Sequence, residues 1–306
     1  MNMVEPRNFT GLRGVLTLDA PLAPHTSWRA GGHADAAYVP ADRDDLALFL
    51  RQLPIFESVT VLGLGSNTLV RDGGLRGAVV LLHNPGGMLA VADGFVYAEA
   101  GVACPKLARF AARHGCAGAE FLAGVPGTVG GALAMNAGCY GGETWAQVAK
   151  VELVTRDGGF VIRTPADYAV GYRSVKRADG RAADGIFTAA WFRFPSGDGD
   201  ASRLRIRELL ARRLASQPLD QPNAGSVFRN PPGDHAARLI ETAGLKGFSI
   251  GGARVSNKHA NFIVNAERQA SAADIEQLIE HVQKTVAAQT GVMLEREVRI
   301  IGERAT

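Results

Sequence analysis

Cysteine is scarce: Cys104, Cys116 and Cys139 are the only three in 306 residues. An odd number without metal-ligand spacing argues against a disulfide framework and against a metal site. The plain reading is three small, partly buried apolar side chains in a reducing compartment. Long apolar runs are missing too, as is an apolar segment near the first residue. A cytoplasmic protein without secretion signal or membrane span is therefore expected. Charge of one sign is not in excess: 33 Lys+Arg face 30 Asp+Glu, a formal +3. That balance speaks against nucleic acid, which calls for a concentrated basic face. It suits an anionic small molecule.

What the chain does have is glycine, 37 of 306 residues, or about 12% against roughly 7% in average proteins. Many fall between Gly115 and Gly142, among Phe121, Leu122, Val125, Val129, Leu133 and Met135. Glycine in that company predicts a packed loop-and-helix region, where backbone turns sharply or approaches a ligand closely.

Strands are predicted over 59–62, 78–82, 95–98, 148–155, 160–162, 186–194 and 292–301, with Asp157-Gly158-Gly159 as a hairpin turn. Helices are predicted over 105–114, 202–216, 234–243 and 272–289. In the last, Ile275, Leu278, Ile279, Val282 and Val286 form one apolar stripe behind a Ser271/Asp274 capping box. Residues 195–200 read as a linker. The arginines of 202–216 read mostly as a solvated basic face. The fold class is α+β, with a strand-rich first two-thirds and a more helical last third.

Two glycine loops follow apolar runs. Gly63-Leu64-Gly65-Ser66-Asn67 offers successive unhindered N–H groups that could ring a pyrophosphate. A dinucleotide fingerprint would need glycine where Thr68 stands, and a helix after it. The second loop is Gly124-Val125-Pro126-Gly127-Thr128-Val129-Gly130-Gly131, running on to Asn136-Ala137-Gly138. Its small residues admit a flat ring or a phosphate, or simply close helix–strand packing.

Seven segments in a fixed order carry a resemblance. They are Thr26-Ser27-Trp28-Arg29-Ala30-Gly31-Gly32, the two glycine loops, Gly171-Tyr172-Arg173-Ser174, Gly225-Ser226-Val227-Phe228-Arg229-Asn230-Pro231, Ser256-Asn257-Lys258-His259-Ala260-Asn261-Phe262, and Leu294-Glu295-Arg296-Glu297-Val298-Arg299. Over roughly 25–302 the chain resembles the UDP-N-acetylenolpyruvoylglucosamine reductases, in the shorter subtype without the inserted tyrosine loop.

The resemblance implies a vanillyl-alcohol oxidase-type (PCMH-type) FAD-binding fold over 1–198, as two α+β subdomains split near 72. A C-terminal α+β substrate-binding domain over 199–306 follows, its strand 292–301 packing back toward the flavin. It implies FAD, NADPH as electron donor and a UDP-sugar substrate; a monomer is expected, and no metal. Flavin contacts are expected from Gly63, Gly65, Ser66, Asn67, Gly124, Pro126, Gly127, Thr128, Gly130, Gly131 and Gly138. His33 precedes the glycine loop, whereas the histidine of covalent flavin oxidases follows it, so the FAD is expected to be non-covalent.

Three residues match the positions that the resemblance implies for catalysis. Hydride addition beside a carboxylate loads that carboxylate with a second negative charge, which a fixed guanidinium at Arg173 could meet at two oxygens. Glu297 faces the same charge, so it should be protonated or neutralised by a cation such as Arg299. Ser226 matches the proton donor, since a strong carbanion-like base needs only a weak acid. Tyr140, Asn230, Lys258, Arg299 and Arg213 are the expected substrate contacts. Two other readings stay open: a flavin oxidase of a small hydroxylated substrate, and a nucleotide-sugar binder without flavin.

Overall fold

The computed structural model describes residues 9–181 and 185–305, so the outer ends of both expected domains lie outside the described residues. Its first sheet has the order Val15–Pro21, His33–Val39, Leu75–Leu81, Val59–Leu62. The first pair is antiparallel and the others are parallel. Helix Arg43–Gln52 covers one face, started by Asp42, whose carboxylate accepts the Asp45 N–H. Tyr38, Leu46, Phe49, Leu50 and Val80 are buried between them.

The expected split near 72 does not divide this layer. Leu75–Leu81 is the strand to which both His33–Val39 and Val59–Leu62 are bonded, so the first subdomain reaches beyond 80. Its buried Val79, Val80 and Leu81 read as one apolar run because a strand with neighbours on both sides and cover on both faces does not alternate.

The second sheet is antiparallel: Phe160–Arg163, Val148–Thr155, Gly185–Phe192, Phe95–Glu99, Leu89–Ala92. Helices Cys104–Arg113 and Val129–Met135 share its core through Leu107, Ala108, Val129 and Leu133.

Helix Gly199–Ser216 departs from expectation twice. It begins inside the predicted linker, because Asp198 accepts from the N–H groups of Asp200 and Ala201 and so caps it. It also packs on the first region rather than the second. Ile206 is buried in the core that holds Leu107 and Phe121, and the Ser202 hydroxyl donates to Glu120 at 2.6 Å. The packing unit therefore runs past 199 to the end of this helix.

The remaining unit sets helices Ala236–Thr242 and Ala272–Thr290 beside a small antiparallel sheet of Ser249–Ile250, Ala253–Val255 and Ile263–Val264. The apolar stripe at 275, 278, 279, 282 and 286 is buried, and Ser271 and Asp274 form the capping box. This core also takes in Trp28, Ala30 and Leu69 from the first region. Trp28 donates its indole N–H to the Ile263 carbonyl at 2.8 Å and accepts at its own carbonyl from Asn265 at 2.9 Å. Arg71 forks onto Glu276 at 2.8 and 2.9 Å. Beside it, the Asp72 carboxylate accepts the first N–H groups of the long helix, Ala272 and Ala273, where an acid also suits the helix dipole.

Of the strand expected over 292–301, only Arg299–Ile301 is a strand; it lies parallel to Thr68–Val70. Residues before it run instead along the Ser226 segment. Arg229 N–H donates to the Glu295 carbonyl and Glu297 N–H to the Val227 carbonyl.

Candidate active site

Two adjoining cavities, about 530 and 270 Å³, form a trough between the two sheets and the C-terminal unit. They share Val61, Gly63, Thr128, Gly131, Ala134, Arg173 and Arg299. Each volume is within or close to the range of small-molecule sites, about 300–1,000 Å³.

The glycine loops form one wall. Gly65 turns the chain at φ +59°, and a Cβ there would collide with the His25 carbonyl. Gly63 is bare for a different reason: a Cβ would collide with the Thr128 hydroxyl of the second loop. The two loops thus interlock, and part of their glycine serves protein packing. Gly130 is similar, lying tight against Ala100. What faces a ligand is backbone. Gly65, Ser66 and Asn67 line the trough, and their N–H groups donate to no acceptor among the described residues. Unpaired donors on a turn suit an anionic group such as a diphosphate. Residues of both loops thus fit FAD.

Arg173 is the second residue of a two-residue turn closing the hairpin Tyr168–Gly171 and Ser174–Arg177. Its φ of +52° lies in the left-handed region, a strained choice for a long side chain. Asn136, itself left-handed at the end of Val129–Met135, donates to the Gly171 carbonyl at 3.2 Å and ties the turn down. Arg173 then reaches Glu297 with an Nε–Oε1 distance of 2.6 Å, both side chains largely buried. Its Nη2 leans on the Gly138 carbonyl at 3.4 Å, while Nη1 has no partner among the described residues.

Glu297 is held on three sides. Its carbonyl accepts from Asn67 at 3.2 Å, its N–H donates to Val227, and Oε2 accepts from Tyr172 at 3.5 Å. The cation that neutralises it is Arg173, not Arg299. Burial first, and then the Glu297 charge, push the Tyr172 phenol up. Tyr172 also lies between two guanidiniums, with Arg173 at 5.2 Å and Arg229 at 5.9 Å from its ring centre.

Ser226 lines the same trough as Glu297 and Arg173. It follows a turn in which Asn223 accepts the Gly225 N–H at 2.9 Å. Arg213 is also there, despite the solvated reading of its helix, donating to the Gly124 carbonyl at 2.6 Å and to Gln217 at 2.7 Å. Arg299, Arg213, Arg173 and Lys176 against Glu297 leave the lining net positive, which favours an anionic ligand.

All eleven expected flavin-loop residues line one cavity or the other. Tyr140, Asn230 and Lys258 do not. Tyr140 donates its hydroxyl to Leu209 O at 2.9 Å, Lys258 its ammonium to Leu214 O at 2.6 Å, and Asn230 accepts from Ala236 N. Each polar group is engaged by backbone of a helix. His33 is also outside, its Nδ1 against Asp19 at 2.9 Å. Sequence reasoning missed Gln217, Phe262 and Met135 as lining residues. Gln217 was accessible through its i,i+4 spacing from Arg213. Cys139 lines the trough as well, and burial pushes its thiol up.

No helix among the described residues is long and apolar enough to cross a membrane. No cluster of three or more His, Cys, Asp or Glu among them could hold a metal ion.

Comparison with known proteins agrees with this geometry. The family described as FAD binding domain matches residues 34–164. The one described as UDP-N-acetylenolpyruvoylglucosamine reductase, C-terminal domain, matches 217–301. A curated UDP-N-acetylenolpyruvoylglucosamine reductase of Thiobacillus denitrificans is 56% identical over 307 residues, covering 96% of this chain and 94% of its own. The reductase of Methylococcus capsulatus is also 56% identical, covering 95% and 94%. The crystal structure of UDP-N-acetylenolpyruvylglucosamine reductase from Thermus caldophilus superposes with a TM-score of 0.78 at 33% identity, over 94% of this chain and 99% of that one. The fold is accordingly the vanillyl-alcohol oxidase-type FAD-binding fold followed by a C-terminal α+β domain. A trough walled by backbone donors, across which an arginine meets a glutamate, thus sits in a member of the UDP-N-acetylenolpyruvoylglucosamine reductase family, an FAD-containing oxidoreductase.

Proposed function

We propose that the chain reduces the enolpyruvyl ether of a UDP-N-acetylglucosamine to the corresponding lactyl ether, with NADPH as electron donor, in the cytoplasmic synthesis of a peptidoglycan precursor. The observation that carries this reading is the Arg173–Glu297 pair, at 2.6 Å, in a trough that Ser226 also lines. The two glycine loops would hold FAD, which would supply the hydride chemistry between NADPH and the terminal carbon of the enolpyruvyl double bond.

The protein's own groups manage charge and protons. Arg173 presents a planar fork of donors, and Glu297 on Nε fixes its plane. The free Nη1 edge is left for the substrate carboxylate. As hydride adds, electron density moves onto that carboxylate, and a preorganised cation stabilises it there. The same cation offsets the charge of Glu297, so both carboxylates can stand near one guanidinium. Ser226 donates its hydroxyl proton to the carbon next to the carboxylate, and water re-protonates the serine. Arg213 and Arg299 supply positive charge for the diphosphate.

The test is anaerobic NADPH oxidation by flavin-loaded protein with and without the enolpyruvyl UDP-sugar. Stoichiometric, substrate-dependent oxidation with formation of the lactyl ether is expected. A loaded enzyme that oxidises NADPH only when oxygen is admitted sinks the reading.

A further inference from the structure

We propose that Asn261 is a positioning residue for the proton-delivering arm, holding Ser226 beside Glu297 in place of a missing strand. The inference rests on the assignment of Ser226 as proton donor.

The segment 227–229, bent at Val227, is bonded along two edges. One edge is bonded to the Glu295–Glu297 stretch, as an isolated antiparallel bridge between Phe228 and Arg296. Along it, Glu297 N–H donates to Val227 O at 2.8 Å and Arg229 N–H to Glu295 O at 2.9 Å. Val227, the next residue after Ser226, and Glu297 are therefore locked to one rung.

The other edge faces no strand among the described residues. There, the backbone groups are met by one residue. The Asn261 carbonyl oxygen accepts the Val227 N–H at 2.9 Å. Its side-chain oxygen accepts the Phe228 N–H at 3.0 Å, and its side-chain amide donates to the Phe228 carbonyl at 2.8 Å. Asn261 is 4% exposed and Phe228 2%. A buried backbone pair without such a partner would be left unsatisfied. Only a carboxamide offers a donor and an acceptor side by side at this reach. Asn261 is itself fixed, its N–H donating to His259 Nδ1 at 3.3 Å. The residue thus sets where the Val227 rung sits, and with it the distance between the Ser226 hydroxyl and the Glu297 carboxylate.

A pure stability role and a positioning role separate in the two half-reactions. NADPH oxidation by the bound flavin needs no proton from Ser226; reoxidation by the enolpyruvyl substrate does. Asn261→Asp keeps the acceptor, removes the donor and sets a carboxylate against the Phe228 carbonyl. Asn261→Gln keeps both groups and displaces them by one methylene. Stopped-flow absorbance of the flavin-loaded variants reads both steps. Flavin reduction by NADPH is expected to stay within about twofold of wild type, and reoxidation by substrate to slow about 100-fold, the cost of a misplacement near 1 Å.

Unchanged reoxidation in both variants overturns the proposal. So does equal slowing of both half-reactions, or failure of both variants to load flavin, since each assigns Asn261 to the fold alone. Ser226→Ala, measured alongside, isolates the underlying reading: if it leaves reoxidation at the wild-type rate, the proton-donor assignment fails, whatever Asn261 does.

Discussion

The joint between the two units and the wall of the trough follow opposite rules. At the joint every polar group named above is answered. Trp28 is fully buried with its indole bonded, Glu276 takes both prongs of Arg71, and Asp72 caps a helix. In the trough, donors are left open. Among the described residues, Gly65, Ser66 and Asn67 keep free N–H groups and Arg173 keeps one edge of its guanidinium, while its backbone is held in a left-handed turn. Satisfied polar groups make a structure rigid; unsatisfied ones make it receptive. The seven sequence segments mark the trough, whereas of the joint's side chains named here only Trp28 falls within one of them.

Substitutions can test that contrast. The largest effect is expected in the trough with the fold untouched. Ser226→Ala should slow substrate-dependent reoxidation by about 1,000-fold, with urea unfolding unchanged. Arg173→Lys should follow at about 100-fold, because an ammonium replaces the fork that Glu297 orients. A matching loss of flavin reduction by NADPH would place either residue in the scaffold instead.

At the joint the signature reverses. Glu276→Gln leaves Arg71 and Arg304 without their shared carboxylate and should cost about 2 kcal/mol in urea unfolding, with both half-reactions near wild type. Its pH dependence sharpens the point. Hydrogen bonding to Arg71 holds the Glu276 carboxyl below its ordinary value. The stability it supplies is fully present above that ordinary value and is lost as pH falls through the lowered one. The glutamine variant should therefore unfold with a shallower acid dependence. The smallest effect is expected from Tyr140→Phe, which removes only the bond to Leu209 O, under about 1 kcal/mol. A tenfold rise in the substrate KM would instead return Tyr140 to the substrate.

Much of the frame is legible in the sequence where a pattern is local. Val148–Thr155 and Ala272–Thr290 are read within one residue, since hairpin turn, stripe and capping box are all near-neighbour signals. The allegiance of Gly199–Ser216 is not, because only Ser202, Ile206 and Leu209 of it are buried and nothing local says against which core. Val292–Val298 looks like a strand by composition, but its bonding is set by residues some 70 positions earlier. The trough is legible as a set of segments. Which side chains enter it is not: Tyr140, Asn230 and Lys258 are diverted by helix backbone groups that no spacing reveals.

Asn67 and Glu297 meet across the trough although 230 residues separate them. On the ribosome, then, the glycine turns emerge long before the segment that completes their enclosure. A nascent chain halted short of residue 297 would hold the glycine turns without the acid that meets Arg173. Closure of the trough is therefore an event that waits for residue 297 to emerge.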